Sequence, residues 1–168
     1  IDHFRTLFKK HDPISATVDL NDLCQLTAQL LDHEVALRRA RLVLELDPKT
    51  PLVRGDPVQL QQALINLALN ALDALATATT DREVIISTLA DNRGVEVRVT
   101  DTGPGLPPDV KKRLFEPFFS TKPHGLGMGL TIVRSIVERH RGVLRADNGP
   151  DKGARFTMTL PATEASSS

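Results

Sequence analysis

The chain has 168 residues, of which 40% are hydrophobic and 25% charged, and its formal net charge is zero. These values are ordinary for one soluble globular domain, and the charge balance gives no sign of a nucleic-acid or membrane-surface partner. No apolar run is long enough to span a bilayer. The single cysteine, Cys24, cannot form an internal disulfide, so a reducing compartment is expected.

The first ten residues predict a helical segment. Ile1, Phe4, Leu7 and Phe8 recur at helical spacing, and Pro13 then ends the pattern, because proline disfavours helix at the residue before it. The chain opens in the middle of this pattern, as an excised fragment would.

A second helix is predicted after Val18, capped by Asp19 or Asn21. Its apolar residues suit one buried stripe, formed by Leu20, Leu23, Cys24, Leu30, Leu31, Val35 and Leu37. Residues 41–47 alternate apolar and charged side chains and predict a half-buried strand. Residues 52–55 predict a short strand.

The third helix has the clearest start signals. Asp56 is suited to cap it, and Pro57 suits its first turn. An apolar face follows, formed by Leu60, Ala63, Leu64, Leu67, Ala71, Leu72 and Leu75. This pattern predicts a buried helix over about residues 58–76.

Two asparagines interrupt that apolar helix, and Asn66 and Asn70 project from one face about a turn apart. Asparagine is a poor residue for a helix interior. An amide oxygen here can bind Mg²⁺ beside substrate phosphates; alternatively, both amides are satisfied by neighbouring backbone. Asp73, one turn further on, either reaches the same ion through water or is a surface carboxylate.

Residues 82–90 and 94–100 predict a β-hairpin, with a turn at Asp91-Asn92-Arg93-Gly94. The second strand ends on Asp101, beside the glycine turn Asp-Thr-Gly-Pro-Gly. A carboxylate there can accept from the exocyclic amine of adenine. The alternative is an Asx-type turn that only holds the loop.

A second glycine cluster lies further along, where Gly125, Gly127 and Gly129 alternate with apolar residues before a predicted helix. Free N–H groups at such a helix start favour a phosphate, although a glycine hinge explains the pattern equally well. Residues 143–147 and 154–160 predict a closing strand pair, and the tail after residue 161 is expected to be disordered.

Four motifs in this order resemble the catalytic, ATP-binding domain of two-component sensor histidine kinases, within the superfamily of gyrase, Hsp90 and mismatch-repair ATPases. They are NLALNALDAL, DTGPG, LFEPFFSTK and GLGMGL. The run EPFFSTKPHGLGMGL is most similar to the nitrogen-regulation and oxygen-sensing branch. The ordered set covers roughly residues 14–160 and is far more specific than any single motif.

The resemblance implies an α+β fold, a two-layer α/β sandwich in which a mixed β-sheet carries helices on one face. It divides the chain into an upstream helix remnant and linker at residues 1–13, the catalytic domain at residues 14–161 and a tail at residues 162–168. ATP is then held between the helices and a lid.

Roles are also implied by the resemblance. Asp101 binds the adenine amine, Asn70 coordinates Mg²⁺ and Asn66 lies beside the phosphates. Gly103 and Gly105 give base and ribose close approach, and Lys122 reaches the terminal phosphate. Phe118 and Phe119 either pack the lid or belong to the core. The implied nucleotide-binding set is Asn66, Asn70, Asp73, Asp101, Gly103, Gly105, Phe119, Thr121, Lys122, Gly125, Leu126, Gly127, Met128, Gly129 and Leu130.

The sequence departs from the family in two respects. Many relatives carry a basic residue where this chain has Asp73, so a basic phosphate contact from that helix is in doubt. The phosphoacceptor histidine and its hairpin are absent. The expected activity is therefore ATP-dependent phosphorylation of a histidine on a separate hairpin of the same or a partner subunit, upstream of a response regulator.

Two other functions compete with this one. A hydrolytic ATPase of the same superfamily usually has a glutamate base on the asparagine helix, and residues 58–76 contain no glutamate. A non-catalytic nucleotide-binding module is the second alternative. The resemblance further implies a cytoplasmic, monomeric fragment of a dimeric parent, and it leaves open whether that parent is membrane-bound.

Overall fold

The computed structural model describes residues 16–78, 81–117, 119 and 129–163. The described chain forms two layers, one of strands and one of helices. The strands are β1 (Ala16–Val18), β2 (Arg41–Glu45), β3 (Val53–Gly55), β4 (Glu83–Asp91), β5 (Gly94–Asp101), β6 (Val143–Asn148) and β7 (Ala154–Leu160). The helices are α1 (Leu20–Leu30), α2 (Asp32–Leu37), α3 (Pro57–Ala74), α4 (Pro108–Arg113) and α5 (Gly129–Arg139).

The main sheet has five strands in the order β2-β4-β5-β7-β6. β2 pairs parallel with β4, whereas the other neighbours are antiparallel. A small second sheet joins β1 to β3, with Ala16 opposite Gly55. This mixed sheet confirms the predicted fold class, and the predicted hairpin is β4–β5, whose turn is closed by Asp91 accepting from the N–H groups of Arg93 and Gly94.

One face of the sheet is covered by helices, and the core lies between the two layers. Alternate residues of β5 are buried, namely Val95, Val97, Val99 and Asp101. Since side chains alternate across a strand, Asp101 lies on the same buried face as the three valines. The seven apolar residues predicted for the third helix are all buried, each at most 1% exposed, although Leu75 lies just past the end of α3.

The predicted second helix is two helices, because the chain turns at Leu31 between α1 and α2. Asp19 caps α1 by accepting from the Asn21 N–H at 2.9 Å. The predicted stripe was wrong at two positions: Leu30 is 55% and Leu37 64% exposed. Leu30 precedes the turn at Leu31, but it lies about a quarter turn around α1 from the buried residues Leu20, Cys24 and Thr27. Leu37 follows the turn, on α2, which has no buried residue.

The start of α3 is as predicted, with Asp56 accepting from the Val58 N–H at 2.9 Å and Pro57 in the first turn. A second contact fixes the same point. The Asp56 N–H donates to Nε2 of His140 at 3.0 Å, while Nδ1 of His140 lies 2.7 Å from the Ile136 carbonyl oxygen. Nε2 is therefore the acceptor and Nδ1 carries the proton. His140, only 3% exposed, thus ties the end of α5 to the start of α3.

Both ends of the predicted domain division involve residues that are not described. The predicted helix at residues 1–10 lies outside the described ranges, as do residues 164–168. Ala162 forms a bridge with Val53, and the Thr163 N–H donates to the Leu52 carbonyl at 2.9 Å. Within the described ranges, no helix has both the length and the hydrophobicity required to cross a membrane.

Replacing His140 by alanine tests the link between α5 and α3. We expect His140→Ala to lower the free energy of unfolding by about 2–4 kcal/mol, because it leaves a cavity and a partly buried Asp56 N–H without its acceptor. Urea unfolding measures the loss. The control is His33→Ala, an exposed histidine of α2, for which a change within about 0.5 kcal/mol is expected. Equal unfolding midpoints for the two variants would contradict the proposed link.

Candidate functional site

Asp101 lies at the end of β5 with 2% of its surface exposed. Its Oδ1 accepts from the Gly103 N–H at 2.8 Å and from the Ala154 N–H at 3.2 Å. Among the described residues, none donates to Oδ2. Burial raises the pKa of Asp101, while the two N–H donors act in the opposite direction. The Asx-type turn is therefore present, and it leaves the second carboxylate oxygen available to a ligand.

The first glycine turn packs directly on the end of α3. A Cβ added to Gly103 would lie 2.6 Å from the Ala74 carbonyl oxygen, so only glycine fits this approach. Gly105 has a φ of +85°, and a Cβ there would lie 2.9 Å from Oδ1 of Asn148. Both glycines are required by the protein's own packing. Close approach of a base or ribose to them stays a prediction.

The turn between β6 and β7 contacts the first glycine turn, and this contact was not predicted from the sequence. Asn148 accepts from the Leu106 N–H at 2.7 Å and donates to the Leu106 carbonyl at 3.3 Å. Gly153 has a φ of +83°, and a Cβ there would lie 1.9 Å from the Asp101 carbonyl oxygen. The glycines of this turn were visible in the sequence. Their contact with Asp101 follows only from the β5-β7-β6 strand order.

Asn66 and Asn70 are partly buried on α3, about 6 Å apart along the helix axis. Neither side-chain amide hydrogen-bonds with a described residue, so backbone satisfaction, the alternative explanation for this pair, is not found in that part of the chain. Gly103 contacts Ala74, one turn beyond Asn70. The fold thus brings the asparagine helix and the first glycine turn together.

The donor set fits a magnesium ion that is shared with a phosphate ligand. The described residues contain no group of three or more His, Cys, Asp or Glu side chains that would hold a metal alone. Mg²⁺ commonly takes one or two protein oxygens and completes its shell with waters and phosphate oxygens. The amide oxygen of Asn70 suits that kind of site.

Asp73 forms an ion pair that the sequence did not reveal. Nη2 of Arg38, at the end of α2, lies 2.9 Å from Oδ1 of Asp73, and the same guanidinium also bonds to Glu34. The hydrogen bond to Glu34, with a smaller contribution from Asp73, raises the pKa of Arg38. A positive charge therefore lies beside α3 at Asp73, but it comes from Arg38 on another element and is shared between two carboxylates.

The start of α5 is described from Gly129 onwards. Among the described residues, no heavy atom lies within 4 Å of a Cβ added to Gly129, while Leu130 packs against the core. Phe119 is partly buried, with the guanidinium carbon of Arg113 4.7 Å from its ring centroid. The remaining predicted site residues lie outside the described ranges: Phe118, Thr121, Lys122, Gly125, Leu126, Gly127 and Met128.

Sequence comparison places this geometry in a family. The family described as "Histidine kinase-, DNA gyrase B-, and HSP90-like ATPase" matches residues 55–164. The sensor protein FixL of Bradyrhizobium diazoefficiens is 44% identical over 127 residues, which are 76% of this chain and 25% of FixL. The chain spans between a quarter and a third of the first curated relatives that it matches.

Structure comparison agrees with the sequence. The catalytic domain of histidine kinase ThkA has a TM-score of 0.79 at 30% identity, covering 88% of this chain and 95% of that domain. ThkA in complex with the response regulator TrrA has a TM-score of 0.75 at 28% identity, covering 88% of this chain and 42% of ThkA. Full-length ShkA in complex with AMPPNP has a TM-score of 0.76 at 31% identity, and the match covers 89% of this chain and 32% of ShkA.

The asparagine helix, the buried aspartate and the glycine turns thus occur in a chain that matches this family over most of its length. The match to the ThkA catalytic domain covers nearly all of that domain. The chain belongs to the histidine kinase-, DNA gyrase B- and HSP90-like ATPase family, among the catalytic domains of sensor histidine kinases.

Proposed function

We propose that this domain binds ATP with Mg²⁺ and donates the γ-phosphate to a histidine on a separate helical hairpin, of the same or a partner subunit. One observation carries the proposal. The available Oδ2 of Asp101 lies beside the glycine turn that packs on α3, and α3 carries two amides with no described partner. The residue proposed to recognise the base, Asp101, is therefore adjacent to the helix proposed to face the phosphates, α3.

Asp101 selects the base. Its Oδ2 accepts a hydrogen bond from the exocyclic amine of adenine, while the bonds to Oδ1 hold the carboxylate in place. Guanine presents a carbonyl oxygen at that ring position, which would face the carboxylate as a second acceptor. Gly103 and Gly105 form the adjoining wall, close to base and ribose.

Asn70 holds the magnesium ion and Asn66 lies beside the phosphates. The ion neutralises charge on the phosphate oxygens when it is bound. The start of α5, from Gly129 and Leu130, supplies N–H groups to the phosphates. The resemblance adds Lys122 at the terminal phosphate and Thr121, Gly125, Leu126, Gly127 and Met128 around it. The AMPPNP complex of ShkA supports ATP as the ligand.

Transfer rather than hydrolysis is favoured by the composition of α3. This helix contains no glutamate, and its one acidic residue, Asp73, is paired with Arg38. No side chain on α3 is therefore suited to activate a water. Phosphoryl transfer depends mainly on positioning and charge stabilisation, so the domain does not require a general base of its own.

The partners follow from the same role. The nucleophile comes from a phosphoacceptor hairpin, and the phosphate passes on to a response regulator, as the complex of ThkA with TrrA suggests by analogy. We place the domain in the cytoplasm, where ATP is available, as a monomer when isolated and within a homodimer in the parent protein.

Asp101→Asn tests the role in base recognition. The amide keeps an oxygen for the Gly103 and Ala154 N–H groups, but it points an N–H₂ group towards the adenine amine. We expect calorimetry with Mg²⁺-ATP to show an affinity about 10- to 100-fold lower, since a hydrogen bond to a charged acceptor is lost. The matched control is Asp32→Asn, an exposed carboxylate on α2, which should bind ATP as the unchanged chain does.

The same variant should not lose stability, which separates a binding defect from misfolding. Because burial raises the pKa of Asp101, its protonated form contributes stability that is present below the unfolded pKa and lost as pH rises through the folded pKa. At neutral pH the ionised carboxylate is therefore a cost that asparagine avoids. An unchanged or higher melting temperature is expected at pH 7. Unaltered ATP affinity would refute the assignment.

Phosphotransfer tests the function as a whole. The chain is mixed with Mg²⁺, γ-labelled ATP and a longer protein that carries the upstream hairpin but has its own ATP site disabled. Acid-labile, base-stable label on the longer protein is expected, and it should disappear with Asn70→Ala because the magnesium ligand is lost. Free phosphate without labelled protein would indicate a hydrolytic ATPase. ATP binding without either product would indicate a non-catalytic nucleotide-binding module.

A further inference from the structure

An apolar groove lies on the surface between α1 and the first half of α3. Its volume is about 460 Å³. Leu23 and Leu26 form one wall, and the other is lined by Pro57, Val58, Gln61, Gln62 and Ile65. Leu26 is 42% and Val58 75% exposed. The groove is lined by the first half of α3, and none of its lining residues belongs to the proposed nucleotide-binding set.

The two helices that form this groove are almost uncharged. Asp22 is the only Asp, Glu, Lys or Arg within α1 and within residues 57–65 of α3. An exposed helix normally carries charges on its outer face, and contiguous exposed apolar surface in a soluble protein usually marks an interaction site. The groove therefore has the composition of a covered surface.

The chain enters the domain next to the groove. Ala16, the first described residue, pairs with Gly55 across β1 and β3. Gly55 is followed within three residues by Pro57 and Val58, which line the groove. The segment that precedes Ala16 is therefore attached close to one wall.

That preceding segment has the pattern of a groove-binding helix. Ile1, Phe4, Leu7 and Phe8 lie at helical spacing, and amphipathic helices bind apolar grooves through anchors of this kind. Within residues 1–8 the charges of Asp2 and Arg5 balance, so it is the apolar pattern of the segment that suits the groove. An uncharged groove wall and an amphipathic segment of low net charge are compatible.

We propose that residues 1–8 dock as a helix in this groove, with their apolar side against Leu26 and Val58. The connecting residues 9–15 span up to about 24 Å when extended, so they reach the groove without strain. Attachment to the same chain also gives the segment a high effective concentration at the groove. The docked segment couples whatever precedes the domain to α3, the helix that carries Asn66 and Asn70.

Fluorescence tests the docking directly, because the chain contains no Trp and no Tyr. A tryptophan introduced by Phe8→Trp is then the sole emitter. We expect blue-shifted emission that is shielded from acrylamide and independent of protein concentration. Adding Leu26→Ser or Val58→Ser should lower the docking equilibrium constant by about tenfold, since each removes one apolar contact surface, and should shift the emission to the red.

The control for Leu26→Ser is Leu89→Ser. Leu89 is also 42% exposed, but it lies on β4 and does not line the groove, so it should leave the emission unchanged. Emission typical of a solvent-exposed tryptophan in the Phe8→Trp variant without further substitutions would overturn the proposal. Shielding that is lost on dilution would also overturn it, because the groove would then bind a second copy of the chain.

Disulfide trapping gives an independent result. Cys24 is fully buried, and burial raises its pKa to about 12, so it does not compete in thiol exchange. The pair Phe4→Cys and Val58→Cys should form a disulfide within one chain more readily than the control pair Thr6→Cys and Val58→Cys, because Thr6 lies on the opposite side of the predicted helix. Equal trapping of the two pairs, or trapping only between chains, would contradict docking of this segment.

Discussion

The structure depends on one buried carboxylate at the end of the central strand β5. A charged group removed from water must be hydrogen-bonded, and Asp101 obtains its donors from the N–H groups of Gly103 and Ala154. The first bond folds the glycine turn back over the strand, and the second fixes the start of β7. The left-handed Gly153 lets the β6–β7 turn approach Asp101 closely enough. The need to satisfy one oxygen of Asp101 thus shapes both loops and aims the other oxygen at the ligand.

The second fixed part of the site is α3. The side chains of its buried face are at most 1% exposed and pack against the sheet and α5. His140 ties the first residues of α3 to the end of α5. A helix held in this way presents Asn66 and Asn70 in constant positions. The pairing of Asp73 with Arg38 balances a negative charge on the same face, which would otherwise oppose phosphates.

The elements of the fold could largely be predicted from sequence, because periodicity and capping are local properties. Asp56, Pro57 and the apolar face located α3, and the glycine-flanked end of β5 located Asp101. Leu30 and Leu37 were placed wrongly because a surface helix also carries apolar residues beside its buried stripe, and apolar spacing alone does not show which of them reach the core. Asn148, Gly153, Arg38 and His140 were missed for a different reason. Their partners lie 35 or more residues away in sequence, or depend on strand order.

The central claim is that Asp101 reads the amine of adenine. It is tested most directly by calorimetric titration of the unaltered chain with ATP and with inosine triphosphate, both with Mg²⁺. The two nucleotides share ribose and phosphates, but inosine carries a carbonyl oxygen in place of the amine. ATP should bind at least about tenfold more tightly, because inosine would place an acceptor against a carboxylate. Equal affinities would show that Asp101 has only its structural role in the turn.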